Sequence, residues 1–361
     1  MSKYKVILYK TSVGEFSESE SKLFFVNKYK FTSYDEILAN ALVEVIPNSE
    51  LEIISDANIE HDTLVELKIN EDDEFGILKN TSNEKFDLFD FIAIKNTETN
   101  KYVIIDFQDG PKHTTVIGKN ENCLGGYACM YLDLVKRIKD ENFHLNKFYP
   151  FSFFDLYPYL TKLYREEIQS IRNKEAKIPK LVFYGTIGDI ETQVYTTENE
   201  VTGVREPVRL VANILKEKYP QYIDVRDRSE KLDRPEWWKL AAEYVMPVTI
   251  PGHPWCSREH EFWSLGIPTL ANTFTCPLMF PLIGGKHYVD AGTCGKDSMD
   301  REIDQEHAAD LIIEKFLLVK DEKVYLQKIG KNAQERYDRY VFPENIASYL
   351  VRDIKTKFNL L

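Results

Sequence analysis

The sequence lacks most of the features that would settle its class at once. It has no CxxC pair, and its five cysteines (Cys123, Cys129, Cys256, Cys276 and Cys294) are odd in number and scattered. That pattern argues against a disulfide framework or a structural zinc site and for free thiols in a reducing compartment. No stretch approaches the ~20 apolar residues of a membrane-spanning helix. The opening MSKYKVILYK offers only a short strand-like run where a signal peptide needs an uninterrupted apolar segment. The expected location is the cytoplasm, with no transmembrane segment. Basic residues are not in excess either. With a net charge of −12 the chain as a whole repels polyanions, so nucleic acid is disfavoured as a partner and any anion site must be a local cluster of basic groups. Internal repeats, low-complexity tracts and a Gly-rich loop after the first apolar run are absent.

What is present is enough for two domains of ordinary size: 361 residues, of which 43% are hydrophobic. The 21 tyrosines and 21 phenylalanines serve core packing first and flat ligands second.

Apolar spacing predicts a strand at Lys5–Tyr9, a helix at Tyr34–Val45 and a strand at Leu51–Ile54. Strands are expected at Phe86–Ile94 and Tyr102–Phe107, and Gly125-Gly126 is expected to introduce a helical run through YACMYLDLVKRIKD. A helix over roughly Phe153–Asn173 leads to a domain boundary near residue 176. The second half alternates more regularly. LVFYG, YIDVR, VMPVTIPG and IPTLAN read as strands, and Glu206–Tyr219, Pro235–Tyr244 and Glu259–Leu265 as the helices between them. This βαβα order implies a doubly wound parallel sheet, whose ligands bind outside the carboxyl ends of the strands. Helices at His307–Val319 and Glu322–Tyr340 and a last one, PENIASYLVRDIKTKF, complete the chain.

The densest chemistry lies in PGHPWCSREHEFWSLGIPTLA, Pro251 to Ala271, where His253, Ser257, Arg258 and Glu261 crowd the start of a short helix. Unpaired N–H groups and the helix dipole favour an anion there, and Arg258 adds a bidentate cation, an arrangement suited to a diphosphate. Glu261, three residues on and on the same face, is placed to accept hydrogen bonds from ribose hydroxyls. The plainer alternative is an exposed i,i+3 ion pair worth tenths of a kcal/mol. Trp237, Trp238, Trp255 and Trp263 read as packing residues rather than base-stacking platforms.

SREHEFWSLGIPTL resembles the donor-site segment of GT-B glycosyltransferases (family 1 type), in which a Glu-bearing short helix is closed by Gly-x-Pro and an apolar strand. The Arg three residues before that Glu is similar to the exostosin-like branch. LVFYGTIGD is similar to the strand and loop that open the family's donor domain, and GVREPVRLVANIL to the next segment, where Arg205, with Arg209 as the alternative, matches a phosphate-binding Arg. RYDRYVFPENIASYL resembles the closing segment, whose last helix returns to the N-terminal domain. The likeness spans about residues 180 to 355. It implies two Rossmann-like domains, an acceptor-binding one over 1–175, a nucleotide-sugar-binding one over 176–340, and a terminal helix at 341–361. It also implies a donor site of Arg258, Glu261, His253, Arg205, Gly185, Thr186 and Ser257, and transfer from a nucleotide-diphosphate sugar, a co-substrate rather than a cofactor, to a glycan-type hydroxyl. Many retaining members carry a second Glu eight residues before Glu261; His253 stands there, which favours inversion.

Inversion needs a base on the acceptor side. IIDFQDGPKHT supplies Asp109 first, then His113 and Asp106, with His61 as an outsider. Asp109 also suits the turn at Gly110-Pro111. The acidic run at 71–74 reads as a solvated loop, so no metal is expected and arginines with a helix terminus take its place. Two rivals remain: a viral-type transferase acting on hydroxymethylated DNA bases, and a catalytically silent nucleotide- or carbohydrate-binding protein.

Overall fold

The computed structural model describes residues 2–10, 33–55, 91–107, 120–129, 145–151, 155, 157–174, 178–185, 196–197, 200–201, 206–227, 230, 232–250, 257–273, 278–293 and 304–361. In chain order these form β1 (Tyr4–Lys10), α1 (Tyr34–Val45), β2 (Ser49–Ser55), β3 (Phe91–Asn96), β4 (Tyr102–Asp106), β5 (Cys123–Ala128), β6 (Phe148–Pro150), α2 (Pro158–Arg172) and β7 (Ile178–Gly185). Then come β8 (Thr196–Thr197), β9 (Glu200–Val201), α3 (Glu206–Lys218), β10 (Ile223–Asp227), α4 (Arg234–Glu243), β11 (Tyr244–Thr249) and α5 (Ser257–Ser264). The last are β12 (Leu270–Ala271), β13 (Val289–Asp290), α6 (Gln305–Val319), α7 (Lys323–Tyr340) and α8 (Pro343–Phe358). They divide into two compact units. One holds Met1–Phe153, Pro277–Met279 and Val341–Leu361, the other Phe154–Cys276 and Phe280–Tyr340.

The first unit is built on a mixed sheet in the order β2-β1-β3-β4-β5-β6. Its outer pairs are parallel, while β3 runs antiparallel to both β1 and β4. The β3–β4 connection is short because the Asn96 side chain accepts from the Glu98 and Thr99 backbone N–H groups and Asn100 takes the left-handed conformation at φ 60, a local turn chemistry available to asparagine. Apolar residues at helical spacing on α1, Ile37, Leu38, Ala41 and Leu42, are buried, as are Ile346, Leu350 and Ile354 of α8. The two helices pack together, and the Tyr34 hydroxyl donates to the Val341 carbonyl. At the other end of α8, Lys357 sits 3.7 Å above the Tyr149 ring and Asp353 accepts from the Tyr127 hydroxyl at 2.6 Å.

Gly125-Gly126 does not open a helix. Both glycines lie inside β5, and a Cβ on Gly126 would stand 2.3 Å from the Ile104 carbonyl oxygen, so the missing side chain lets β5 close against β4. Of the expected helical run, residues 130–140 lie outside the described residues.

The second unit carries a wholly parallel sheet in the order β10-β7-β11-β12-β13. By order of appearance this is 2-1-3-4-5: the chain steps from β7 to β10, then returns past β7 to β11. Right-handed crossovers send helices to opposite faces on either side of such a reversal. Accordingly α3 packs against α6, whereas α2 packs against α4 and α5, and α5 against α7. The described residues thus form an α/β structure with one mixed sheet, one parallel sheet and a two-stranded antiparallel pair of β8 and β9.

Candidate functional site

In a sheet of this order the crevice lies at the carboxyl ends of the strands flanking the reversal, here β7, which ends at Gly185, and β11, which ends at Thr249. The helices that follow β10 and β11, α4 and α5, both begin at that edge. Asp233 and Glu236 fix the start of α4 by a reciprocal capping box, with Pro235 inside the first turn. Arg234 and Trp238, four residues apart, share one face of it.

That face meets Glu261 of α5. Oε1 of Glu261 accepts from Nε of Arg234 at 2.9 Å, and Oε2 accepts from Nε1 of Trp238 at 2.8 Å. The carboxylate is almost wholly buried, and these donors satisfy its two oxygens. Arg234 also lies 5.0 Å over the Tyr157 ring.

Behind Glu261 a polar network holds α5. Ser264 Oγ is 3.0 Å from Thr161 Oγ1, which is 3.0 Å from the Asp155 carboxylate. Arg165 donates to Ser264 at 3.1 Å and grips Asp338 through both terminal nitrogens at 2.7 and 2.9 Å. The end of α5 is tied down by Gln334, which donates to the Ser264 carbonyl, and by Gln169, which donates to Leu265. Gly266 turns the chain at φ 71, and Gly330 of α7 lets its backbone come close: a Cβ on Gly330 would stand 2.2 Å from the Gly266 carbonyl oxygen.

Two titratable groups in this network are shifted by their surroundings. The Asp155 carboxyl is pushed up to about 7, chiefly by burial and also by the Glu261 charge, against the downward pull of the Tyr337 and Thr161 hydroxyls and Arg165. Burial, reinforced by Arg336, holds His260 well below the usual imidazole range, so this residue is neutral where it packs edge-on to Trp263 at 4.7 Å.

Among the sequence candidates, Arg258 and Ser257 open α5, one turn and more before Glu261, and their side chains lie outside the described residues. Gly185 closes β7. His253, Arg205, Thr186, Asp109, His113 and His61 lie outside the described residues, and Arg209 contributes only its backbone, in α3. Asp106 is the last residue of β4 and is buried. The loop at 71–74 is likewise outside them. Trp237, Trp238 and Trp263 are buried packing residues.

The sequence reading passed over Arg234, Tyr157, Asp155, Thr161 and Arg165. The one available signal was DRPEWW, whose capping box and i,i+4 Arg–Trp spacing mark an ordered helix start. Among the described residues no group of three or more His, Cys, Asp or Glu could hold a metal ion, and no helix is long and apolar enough to cross a membrane. No protein-family model matches the chain, and no curated protein is similar to it.

Proposed function

We propose that the protein is a glycosyltransferase of the two-domain GT-B type, moving a sugar from a nucleotide-diphosphate sugar to the hydroxyl of a glycan or glycoconjugate with inversion and without a metal. One observation supports this above the others: α5, which bears the segment similar to GT-B donor sites, follows β11 at the carboxyl edge where the parallel sheet reverses. That edge is where such sheets bind nucleotides.

In this reading the donor's diphosphate lies against the start of α5 and Arg258, with Arg205, His253, Ser257, Thr186 and the backbone at Gly185 around it. Fixed N–H groups and guanidinium charges stabilise the leaving diphosphate as negative charge develops on it. The acceptor hydroxyl gives its proton to a base, Asp109 before His113 and Asp106, as its oxygen attacks the anomeric carbon opposite the leaving group.

The test is turnover of nucleotide sugars by the full chain without added acceptor. UDP-, GDP-, ADP-, CDP- and dTDP-linked hexoses and pentoses are incubated separately, and released nucleotide is measured. Slow hydrolysis of one donor supports the reading. Tight binding with every donor left intact refutes an enzyme and leaves a binding protein.

A further inference from the structure

We propose that Arg234 is a phosphate-gripping cation of this site and that Glu261 and Tyr157 are the positioning residues that aim it; the assignment rests on the nucleotide-sugar reading above. A guanidinium is planar and carries five donors in a fixed fork. Occupying one edge and one face therefore sets the direction of the rest. In Arg234 the Nε edge is tied to Glu261 Oε1 at 2.9 Å, and the Tyr157 ring stands 5.0 Å away over the guanidinium carbon.

The two members of the ion pair are unequal. Glu261 has 1% of its side chain accessible, and its second oxygen accepts from Trp238, whereas 36% of the Arg234 side chain is accessible. The carboxylate is the buried anchor and the Arg234 side chain is the member that reaches solvent. Arg234 is also the first residue of α4, after β10, while Glu261 belongs to α5, after β11, and β7 lies between those two strands. The aimed guanidinium thus stands at the carboxyl edge beside the reversal, where a diphosphate is expected. A fork held rigid before binding loses little freedom when it meets phosphate oxygens. Glu261 then acts through Arg234 rather than by touching ribose.

The experiment is calorimetric titration of the full chain with UDP, GDP, ADP and CDP, and with the nucleoside matching whichever binds. It is run on the native protein, Arg234→Met, Arg234→Lys and Glu261→Gln. The native protein is expected to bind one diphosphate. Arg234→Met should weaken that binding by about ten- to a hundredfold, the loss of one charge-assisted contact, and leave the nucleoside's affinity unchanged, a separation that a purely structural role would not produce. Arg234→Lys should restore part of the loss. Glu261→Gln, which keeps an acceptor for Trp238, should weaken diphosphate binding less than Arg234→Met. Diphosphate affinity unchanged in Arg234→Met overturns the assignment while the nucleotide reading stands. If that variant does not fold, unchanged affinity in both Arg234→Lys and Glu261→Gln overturns it equally. Failure of the native protein to bind any of the four diphosphates overturns the nucleotide-sugar reading itself.

Discussion

The two units bury different chemistry. Among the described residues, the buried polar side chains of the first unit are Asn96 and Asp106, and all the others belong to the second. The first unit is closed by apolar and aromatic contacts, such as Tyr9 stacked on Phe91 at 4.2 Å, with its lysine–glutamate pairs at the surface. In the second, α5 buries four polar residues, Glu259, His260, Glu261 and Ser264, beside Phe262 and Trp263. Burying polar groups costs free energy unless every partner is in place. A short helix so heavily polar on its packed side depends on hydrogen bonds as well as on the apolar area of Phe262 and Trp263. The difference locates where the molecule has given up packing simplicity for a fixed geometry, at the carboxyl edge of the parallel sheet.

The contrast is open to attack by mutation. Glu261→Ala strands the buried Trp238 N–H and removes the carboxylate that pairs with Arg234. Chemical denaturation should show a loss of about 3 kcal/mol, and a loss below 1 kcal/mol would mean that the network does not hold α5. Gly330→Ala drives a Cβ toward the Gly266 carbonyl oxygen and should cost about 2 kcal/mol by overpacking; a neutral result would show that α7 can move away from the end of α5.

Asp155 supplies a pH test. Its folded-state value is raised by burial to about 7 from an ordinary 3.8. The folded state therefore keeps a proton that the unfolded chain has already released, and stability falls as pH rises through that window and is level above it. Relative to Asp155→Asn, the native protein should lose at most about 1.4 kcal/mol per pH unit between about pH 4 and pH 7. The neutral His260 and His287 give an opposite trend at the acid end, but it is common to both proteins and cancels in the difference. Parallel stability curves for the two would remove Asp155 from the network. The smallest effect belongs to the first unit. Lys5→Ala breaks a half-exposed pair with Glu52 at 2.9 Å and should cost below about 0.5 kcal/mol, and a loss as large as that of Glu261→Ala would erase the contrast.

Long, periodic segments were legible in the sequence. Tyr34–Val45 and Pro343–Phe358 are helices over the residues their apolar spacing marks, and proline sits beside each boundary. The strand and helix alternation of the second half likewise gave a parallel sheet. β6 and β13, three and two residues long, were not legible, because pairing with β5 and β12 defines them rather than any pattern of their own. The glycines of β5 misled for a related reason: they serve a close approach to β4, a strand that local sequence does not mention. At the site, spacing showed that Glu261 belongs to a short helix at a strand's carboxyl end. It could not show the donors that occupy its oxygens, because Arg234 and Trp238 come from the preceding helix, and a helical period reports only on its own helix.

Hydrogen exchange read by mass spectrometry, with the full chain alone and with each of UDP, GDP, ADP and CDP, tests the central claim most directly. If the carboxyl edge of the parallel sheet is a nucleotide site, one diphosphate will slow exchange in peptides covering Arg234–Glu243 and Ser257–Ser264 and leave α1 and α8 unchanged. Exchange unaltered in those two helices by all four, or slowed only in the first unit, would contradict it.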